Sequence, residues 1–254
     1  MEVHAHSHTE RKKWTHYFWE FFMLFLAVTL GFFVENQREH FIEHKRENQF
    51  INSLIEDVIL DTNDLHQIHQ RRVMREIMLD SLALLLNSPD RSKHMVSIYY
   101  FARHIQRIFP LSFTYHDRTI QQLKNSGNLR LIRNHKAANE IVLYDAKVRD
   151  MEIIEEREYQ YLYLCLPYVY KIFDGLVFQQ MTDSVMRISA ASPDARLLNT
   201  ANANIPEFNA ALYTLKVANN ANLRRAKALI GDGERLLNSL KKEYHLSERP
   251  SSEK

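Results

Sequence analysis

Residues 14–34 read WTHYFWEFFMLFLAVTLGFFV, an apolar, aromatic block that follows three basic residues and precedes a charged run. Its uninterrupted part, 21–34, is shorter than the roughly 20 residues that a membrane-spanning helix needs. Extension back through Glu20 to Trp14 reaches that length and places the Glu20 carboxyl near the interface, within reach of headgroup water. The block therefore predicts a transmembrane anchor over 14–36, preceded by a disordered tail over 1–13.

Two other interpretations of the block are a cleaved signal peptide and a buried core helix. The block is longer than a usual signal-peptide apolar region, and the bulky, charged VENQREH that follows it lacks a small-residue cleavage pattern. A buried helix remains the alternative. Lysines and arginines are equally numerous on the two sides of the span, but the leading three lie on a short tail, where positive charge favours the cytoplasm. We expect a single-pass membrane protein with its N-terminal tail in the cytoplasm and its large C-terminal domain outside the cytoplasm.

The remaining sequence has the composition of a soluble helical domain. The 254 residues include only five glycines and six prolines, so the chain has few turn signals and long helices are expected. A net charge of +2 gives no basic face for nucleic acid. The fold class predicted is all-α: one N-terminal transmembrane helix continues into an antiparallel bundle of about four long helices over 37–246, and a disordered tail covers 247–254.

Helical periodicity and turn residues place the individual elements. The first helix is expected to run without a break to Pro89, with Val73 and Ile77 among its inward-facing residues. Later helices are predicted over 93–108, 115–125 (capped by Thr114 and ended at Gly127), 135–167, 176–188 and 207–244.

Two phrases of the sequence carry a family resemblance. The anchor phrase FWEFFMLFLAVTLGFFVENQREHFIEHKRENQFINSLIEDV (18–58) and TYHDRTIQQLKNSGNLRLIRN (114–134) resemble a family of bacterial single-span helical proteins that is known as a domain of unknown function. The resemblance covers the anchor and the first half of the chain, and the last helix only in general pattern. It implies a membrane-anchored helical protein of the bacterial inner membrane, with a single pass and its C-terminal domain in the periplasm, and no particular activity.

Histidines near the anchor are the candidate metal ligands. His40, Glu43 and His44 match H-x-x-E-H, in which two histidines one turn apart hold zinc and the glutamate activates water. A solvated helix near a membrane surface has the same composition, and no third ligand follows, so we predict no metal and no cofactor. His4, His6 and His8 alternate along the predicted tail, which we interpret as disordered rather than metal-binding.

Acidic and tyrosine-rich runs of the third helix are the other candidates. Asp150, Glu152, Glu155, Glu156 and Glu158 alternate with arginines, which predicts a salt-bridged outer face rather than a di-metal site. A tyrosine-rich patch around Cys165 consists of Tyr159, Tyr161, Tyr163, Tyr168 and Tyr170. The first four are the weak ligand-binding candidates, and a core or helix–helix seam is the alternative. Apolar neighbours predict that Cys165 is a buried, inert thiol.

The function predicted from these features is a non-enzymatic, membrane-anchored interaction or sensory module that acts through protein–protein contacts. The alternative is an extracytoplasmic helical bundle that binds a small ligand at the tyrosine-rich patch, and an enzyme ranks third because no phosphate loop or nucleophile elbow occurs. The partners expected are the lipid bilayer and either a protein partner or further copies of the chain.

Membrane attachment can be tested by deletion. Removal of residues 1–36 should release the rest of the chain into the soluble fraction, because it removes the apolar block, and should leave its helical circular dichroism largely intact. Extraction of the full-length protein from membranes by alkaline carbonate or high salt would contradict a spanning helix.

Overall fold

The computed structural model describes residues 14–107, 111–185, 187–198 and 204–246, so the two predicted tails and His4, His6 and His8 lie outside the described residues. The all-α prediction is confirmed: these ranges contain helices and one isolated β-bridge, between Thr182 and Ile188, and no strand. The α-helices are α1 (Trp14–Leu86), α2 (Met95–Arg107), α3 (Arg118–Asn125), α4 (His135–Ile172), α5 (Gly175–Gln180) and α6 (Asn204–Glu243), and short 3₁₀ turns cover Arg91–His94 and Asn128–Leu131.

Contacts divide the chain into two units, 1–50 and 51–254. In the first unit, a segment of α1 is long and apolar enough to cross a membrane, judged by length and composition, and none of its apolar window is buried. Rings four residues apart stack along it, as Phe18 does on Phe22. The Glu20 carboxylate lies 3.0 Å from His16 Nε2, so the one acidic residue of the block has a partner one turn away.

The part of α1 in the second unit presents a regular buried row. Val58, Leu65, Arg72, Leu79 and Leu86 follow one another at intervals of seven residues, and each is at most 2% exposed. The expectation that Val73 and Ile77 face inward was wrong, since they are 38% and 53% exposed. The apolar rhythm misplaced them because the inward position between Leu65 and Leu79 is taken by an arginine.

Hydrogen bonds along the helices fix their directions. Asn134 at the start of α4 donates to Glu243 at the end of α6, so these two helices are antiparallel. Contacts between α1 and α6 run from Glu76–Asn220 to Asn87–Asn209, again in opposite directions. Helices α1 and α4 are consequently parallel.

Parallel α1 and α4 need a return connection, which is made by α2 and the extended segment 111–117. Backbone groups of this connection bond to buried side chains of α1 and α4: Arg72 donates to the Leu111 carbonyl at 2.8 Å, and Phe113 N–H donates to Glu155 at 2.9 Å. Thr114 therefore does not cap a helix at Tyr115 as expected, and α3 begins only at Arg118. The N–H groups before it are bonded to carboxylates instead of to a helical turn.

Two helix ends show how local signals and packing compete. Gly127 has φ 65°, which confirms the predicted left-handed turn after α3. Pro167, expected to kink or end α4, does not end it, since the helix continues to Ile172. The carbonyl that Pro167 leaves without a helical partner belongs to Tyr163, which is 65% exposed, so solvent can satisfy it. The expected helix over 176–188 is shorter, since α5 ends at Gln180.

An aromatic cluster closes the core beyond the ends of α1 and α4. The buried ring of Tyr99 packs edge-on against Phe173 and Phe178, at centroid distances of 5.3 and 5.4 Å. Its hydroxyl donates to the Arg196 carbonyl at 2.6 Å and accepts from the Asp174 N–H at 2.9 Å. One tyrosine thus fastens the loops before and after α5 to α2.

A close helix contact gives a test of the packing. A Cβ at Gly233 of α6 would lie 2.9 Å from the Thr62 hydroxyl of α1, which is held by a bond to the Val58 carbonyl. Gly233→Ala should therefore lower the thermal midpoint by about 3–6 °C, because overpacking exceeds the gain in helix propensity.

The matched control is Gly231→Ala, two residues away on the same helix, whose nearest neighbour would be the flexible Arg235 side chain at 3.4 Å. It should leave the midpoint unchanged or raise it. Equal midpoints for the two variants, measured by circular dichroism, would contradict the close contact between α1 and α6.

Candidate functional site

Six buried polar side chains meet in the interior of the bundle. They form three pairs spaced by three residues, one pair on each long helix: Arg72 and Arg75 on α1, Glu155 and Glu158 on α4, and Asn219 and Asn222 on α6. Each of the six is at most 5% exposed. A spacing of three places both members of a pair on one side of a helix. We call this cluster the polar layer.

Ion pairs and hydrogen bonds connect all three helices through the polar layer. Arg72 donates to Glu158 at 2.6 Å and to Glu155 at 2.9 Å. Arg75 and Asn222 also donate to Glu158. The side-chain amide of Asn219 donates to the backbone carbonyl of Arg72 at 3.0 Å. The layer therefore joins α1 to α4 by charge and to α6 by amide groups.

Burial governs the electrostatics of the layer. Desolvation lowers the pKa of Arg75, against the attraction of the Glu158 carboxylate. Desolvation likewise raises the pKa of Glu155, against the hydrogen bond from Phe113 N–H and the charge of Arg72. Two guanidinium and two carboxylate groups balance in charge, which is what makes burial of four ionisable side chains tolerable.

Carboxylate oxygens of the layer are all engaged. The two oxygens of Glu155 accept from Arg72 and from Phe113 N–H, and those of Glu158 accept from Arg75 and from Arg72 with Asn222. An acid–base catalyst or a metal ligand needs an oxygen directed at substrate or metal. The geometry of the layer is that of a structural ion-pair network.

Four nitrogen and oxygen atoms of the layer have no hydrogen-bond partner among the described protein atoms: Nε of Arg72 and of Arg75, and Oδ1 of Asn219 and of Asn222. An unpaired buried polar group costs about 1–3 kcal/mol. The layer therefore makes the bundle less stable than an apolar core would. What it provides instead is specificity, since it determines which residues of the three helices face each other.

A second polar cluster lies on α1, one end of α4 and the extended segment. The buried carboxylate of Asp61 accepts from the His116 ring and backbone N–H, both at 2.9 Å, and from the Tyr144 hydroxyl at 3.2 Å. Desolvation raises the pKa of Asp61, opposed by these bonds, and also raises the pKa of Tyr144. Asp57 repeats the arrangement by accepting from Thr119 N–H at 3.1 Å. These bonds attach the segment before α3 to α1.

Near this cluster, Asp145 of α4 joins the end of α3. Burial tends to raise the pKa of Asp145, but hydrogen bonds from Lys124 and Arg149 outweigh it and hold this pKa below its usual value. Desolvation raises the pKa of the neighbouring Tyr115 phenol. The acidic groups of this region are therefore occupied in tying α3 and the segment 111–117 to the long helices.

The predicted metal candidates His40, Glu43 and His44 all lie on α1, in the first unit. His40 and His44 are exposed, and the two ring nitrogens of His44 lie 3.6 Å from Glu47 and 3.5 Å from Asn48 of the same helix. Among the described residues, no three His, Cys, Asp or Glu side chains are arranged to hold a metal ion. That H-x-x-E-H is not a zinc site here stays a prediction.

The four candidate tyrosines lie on two sides of α4. At 100° per residue, Tyr161 and Tyr168 share one side, and Tyr159 and Tyr163 the opposite side. Tyr161 and Tyr168 pack against the core, the latter with its ring 6.2 Å from Phe208. Tyr163 is 65% exposed. The four rings therefore do not line a common pocket.

An open groove of about 640 Å³ lies beside the end of α4 and is lined by Tyr170 but by none of those four tyrosines. Arg103 of α2 also lines it, donating to Thr182 at 3.0 Å with its guanidinium 5.7 Å from the Phe178 ring centre. Of the tyrosine-rich patch predicted from the sequence, only Tyr170 lines this groove. The other residues that line it were not predicted, because α2 and the loop after α5 are far apart in the chain.

Two other sequence predictions have clear outcomes. Burial of Cys165 is confirmed, and desolvation raises the pKa of its thiol to about 12. The predicted outer face of α4 is wrong for Glu155 and Glu158, although Glu152 and Glu156 are exposed. Their partners are arginines of α1, more than eighty positions earlier, and not the neighbouring Arg149 and Arg157. The available signal was Arg72 itself, a charged residue within a row of apolar residues at intervals of seven.

The outward side of α1 is a further candidate surface. Leu60, Met74, Ile77 and Leu84 are 47%, 52%, 53% and 73% exposed. All four belong to the second unit and lie outside the apolar segment near the N-terminus. Met74 and Ile77 are one turn apart and Leu84 lies two turns further along, and clustered exposed apolar groups on a soluble domain mark interaction surfaces.

Comparison with known proteins adds no functional information, since no family model, curated protein or solved structure matches this chain. The candidate sites rest on their geometry alone.

The polar layer can be tested with a pair of matched substitutions. Glu158→Leu should lower the free energy of unfolding by about 3–5 kcal/mol, because it leaves Arg72 and Arg75 buried without their shared carboxylate. Glu156→Leu replaces the same residue type at an exposed position of the same helix. It should alter the free energy of unfolding by less than about 0.5 kcal/mol. Similar urea midpoints for the two variants of the full chain in mild detergent would contradict the layer.

Proposed function

We propose that this protein is a non-enzymatic, membrane-anchored helical module that works through protein–protein contacts. The observation that carries the proposal is the exposed apolar side of α1, which includes Leu60, Met74, Ile77 and Leu84. Such side chains gain free energy when a partner covers them, at about 25 cal/mol for each Å² of apolar surface removed from water. An interaction surface is the simplest role for them in a domain that already has a well-packed core.

Membrane attachment belongs to the proposal. The apolar segment of α1 has the length and composition of a spanning helix, and none of its apolar window is buried. Large exposed rings such as Phe32, at 74%, favour lipid as their surroundings over water. The three basic residues directly before the apolar block (11–13) favour the cytoplasm for that side, which would put the helical domain in the periplasm of a bacterium with a single pass through the inner membrane.

The state of the buried ionisable groups supports an interaction role over catalysis. Glu155 and Glu158 have their oxygens occupied by Arg72, Arg75 and backbone or amide groups. The carboxylate of Asp61 is occupied by His116 and Tyr144. Groups that serve acid–base chemistry must reach a substrate, whereas these groups hold elements of the fold together.

A second candidate function is the binding of a small ligand in the groove lined by Arg103, Tyr170 and Phe173. Ligand binding is favoured there because one cationic group, the Arg103 guanidinium, lies among aromatic side chains. Arg103 is, however, already engaged by Thr182 and by the Phe178 ring, which lowers its availability to an anionic ligand.

Native mass spectrometry of the full-length protein, extracted from its membranes in mild detergent, distinguishes the two functions. We expect a complex with at least one further polypeptide in stoichiometric amount, either a second copy or a different protein. A monomeric chain without any polypeptide partner would overturn the proposal.

A retained small molecule would support the groove if it is lost in Tyr170→Ala and kept in Tyr163→Ala. The two tyrosines are on the same helix and equally exposed, at 65%, but only Tyr170 lines the groove. The pair therefore separates binding in the groove from nonspecific binding to exposed rings.

A further inference from the structure

The outward side of α1 carries a regular repeat. Eight positions follow one another at alternating intervals of three and four residues: Leu60, Asn63, Gln67, Gln70, Met74, Ile77, Ser81 and Leu84. Seven of the eight are exposed, and Ser81 is partly buried. This spacing is that of the a and d positions of a coiled coil, sustained over four heptads and about 36 Å of helix. We call these eight residues the α1 seam.

The α1 seam is distinct from the side of α1 that forms the bundle core. The core row, Val58 to Leu86 at intervals of seven, falls at the f positions when Leu60 is an a position. The f positions lie on one side of a helix, and the a and d positions lie on the opposite side. The helices that pack against the core row therefore do not cover the seam. The helix thus has two separate faces with the same seven-residue period.

We propose that the α1 seam pairs with the α1 seam of a second copy of this chain, as a parallel two-stranded coiled coil. The inference rests on the proposed function and identifies its partner. In a two-fold parallel pair, each a or d residue faces its own copy, so a charged residue there would meet a like charge. The eight positions include no Lys, Arg, Asp or Glu, although a quarter of the chain consists of these residues.

Polar members of the seam suit pairing with themselves. The amides of Asn63, Gln67 and Gln70 each both donate and accept hydrogen bonds, so each can bond to its own copy across a two-fold axis. A buried amide at such positions costs stability and selects two strands in a fixed register. The apolar residues flank these amides, with Leu60 at one end and Met74, Ile77 and Leu84 towards the other.

Membrane attachment supplies the orientation that this pairing needs. Two copies inserted in one bilayer cross it in the same direction, and in both copies the chain enters the second unit from the same side of the membrane, which favours a parallel over an antiparallel pair. Confinement to one membrane also raises the effective concentration of each copy for the other. A seam with amides at three of eight positions, too weak to hold two soluble chains tightly, is sufficient under these conditions.

Cysteine cross-linking in isolated membranes tests the pairing directly. Ile77→Cys places a thiol at a d position, where it should form a disulfide with its own copy on mild oxidation. Ile153→Cys is the matched control, because Ile153 is equally exposed, at 58% against 53%, but lies on α4 away from the seam. Cys165 is buried, so the unsubstituted chain should give little covalent dimer. We expect at least about tenfold more dimer for Ile77→Cys than for Ile153→Cys.

A charge substitution provides the complementary test. Ile77→Lys brings two like charges together in the paired state and should reduce the dimer fraction of the full chain in mild detergent by roughly tenfold, whereas Ile153→Lys should not. Both variants should keep the thermal midpoint of the bundle, since both side chains are exposed.

The outcomes separate this inference from the proposed function. Equal cross-linking of the two cysteine variants, or a dimer that Ile77→Lys leaves intact, would overturn the seam as the interface while the interaction function stands. A stoichiometric complex with a different protein and no second copy would do the same. A chain that is monomeric in membranes and in detergent, without any partner, would overturn both.

Discussion

The ion pairs from Arg72 and Arg75 to Glu155 and Glu158 are the constraint on which the bundle depends. Two guanidinium groups buried among apolar side chains would be very costly without these carboxylates. Only one relative position of α1 and α4 brings the pairs together, and Asn219 and Asn222 extend the same requirement to α6. A shift of α1 or α4 by one turn would leave buried charges unpaired, and a shift of α6 would break the amide hydrogen bonds, so the polar layer selects a single register for the bundle.

The layer also determines the path of the chain between α2 and α4. Where Arg72 and Glu155 face the extended segment 111–117, these two side chains bond to the backbone of Leu111 and Phe113. Asp61 and Asp57 continue this series at His116 and Thr119. Four buried or nearly buried side chains thus satisfy backbone groups that would otherwise need a helix or a strand partner. An extended segment can therefore run through a helical bundle.

Much of the fold follows from local sequence signals, and the polar layer does not. The absence of Gly and Pro between Gly31 and Pro89 predicts the long uninterrupted course of α1, and Gly127 predicts the turn after α3, because both signals act within a few residues. The pairing of Arg72 with Glu158 joins positions 86 residues apart, and the sequence around Glu158 offers closer arginines as partners. Periodicity likewise misplaced Val73 and Ile77, since it counts apolar residues and cannot recognise an arginine as part of the core.

The two faces of α1 follow from one property of the helix. A seven-residue period drifts by only about 20° per heptad on a straight α-helix, so a row of side chains at this interval stays on one side for several turns. The core row uses this property from Val58 to Leu86, and the seam uses it from Leu60 to Leu84. Arg72 belongs to the core row, and in the sequence it stands between Gln70 and Met74, which belong to the seam. The ion pairs that fix the register of α1 in the bundle therefore also fix which side of α1 remains available to a partner.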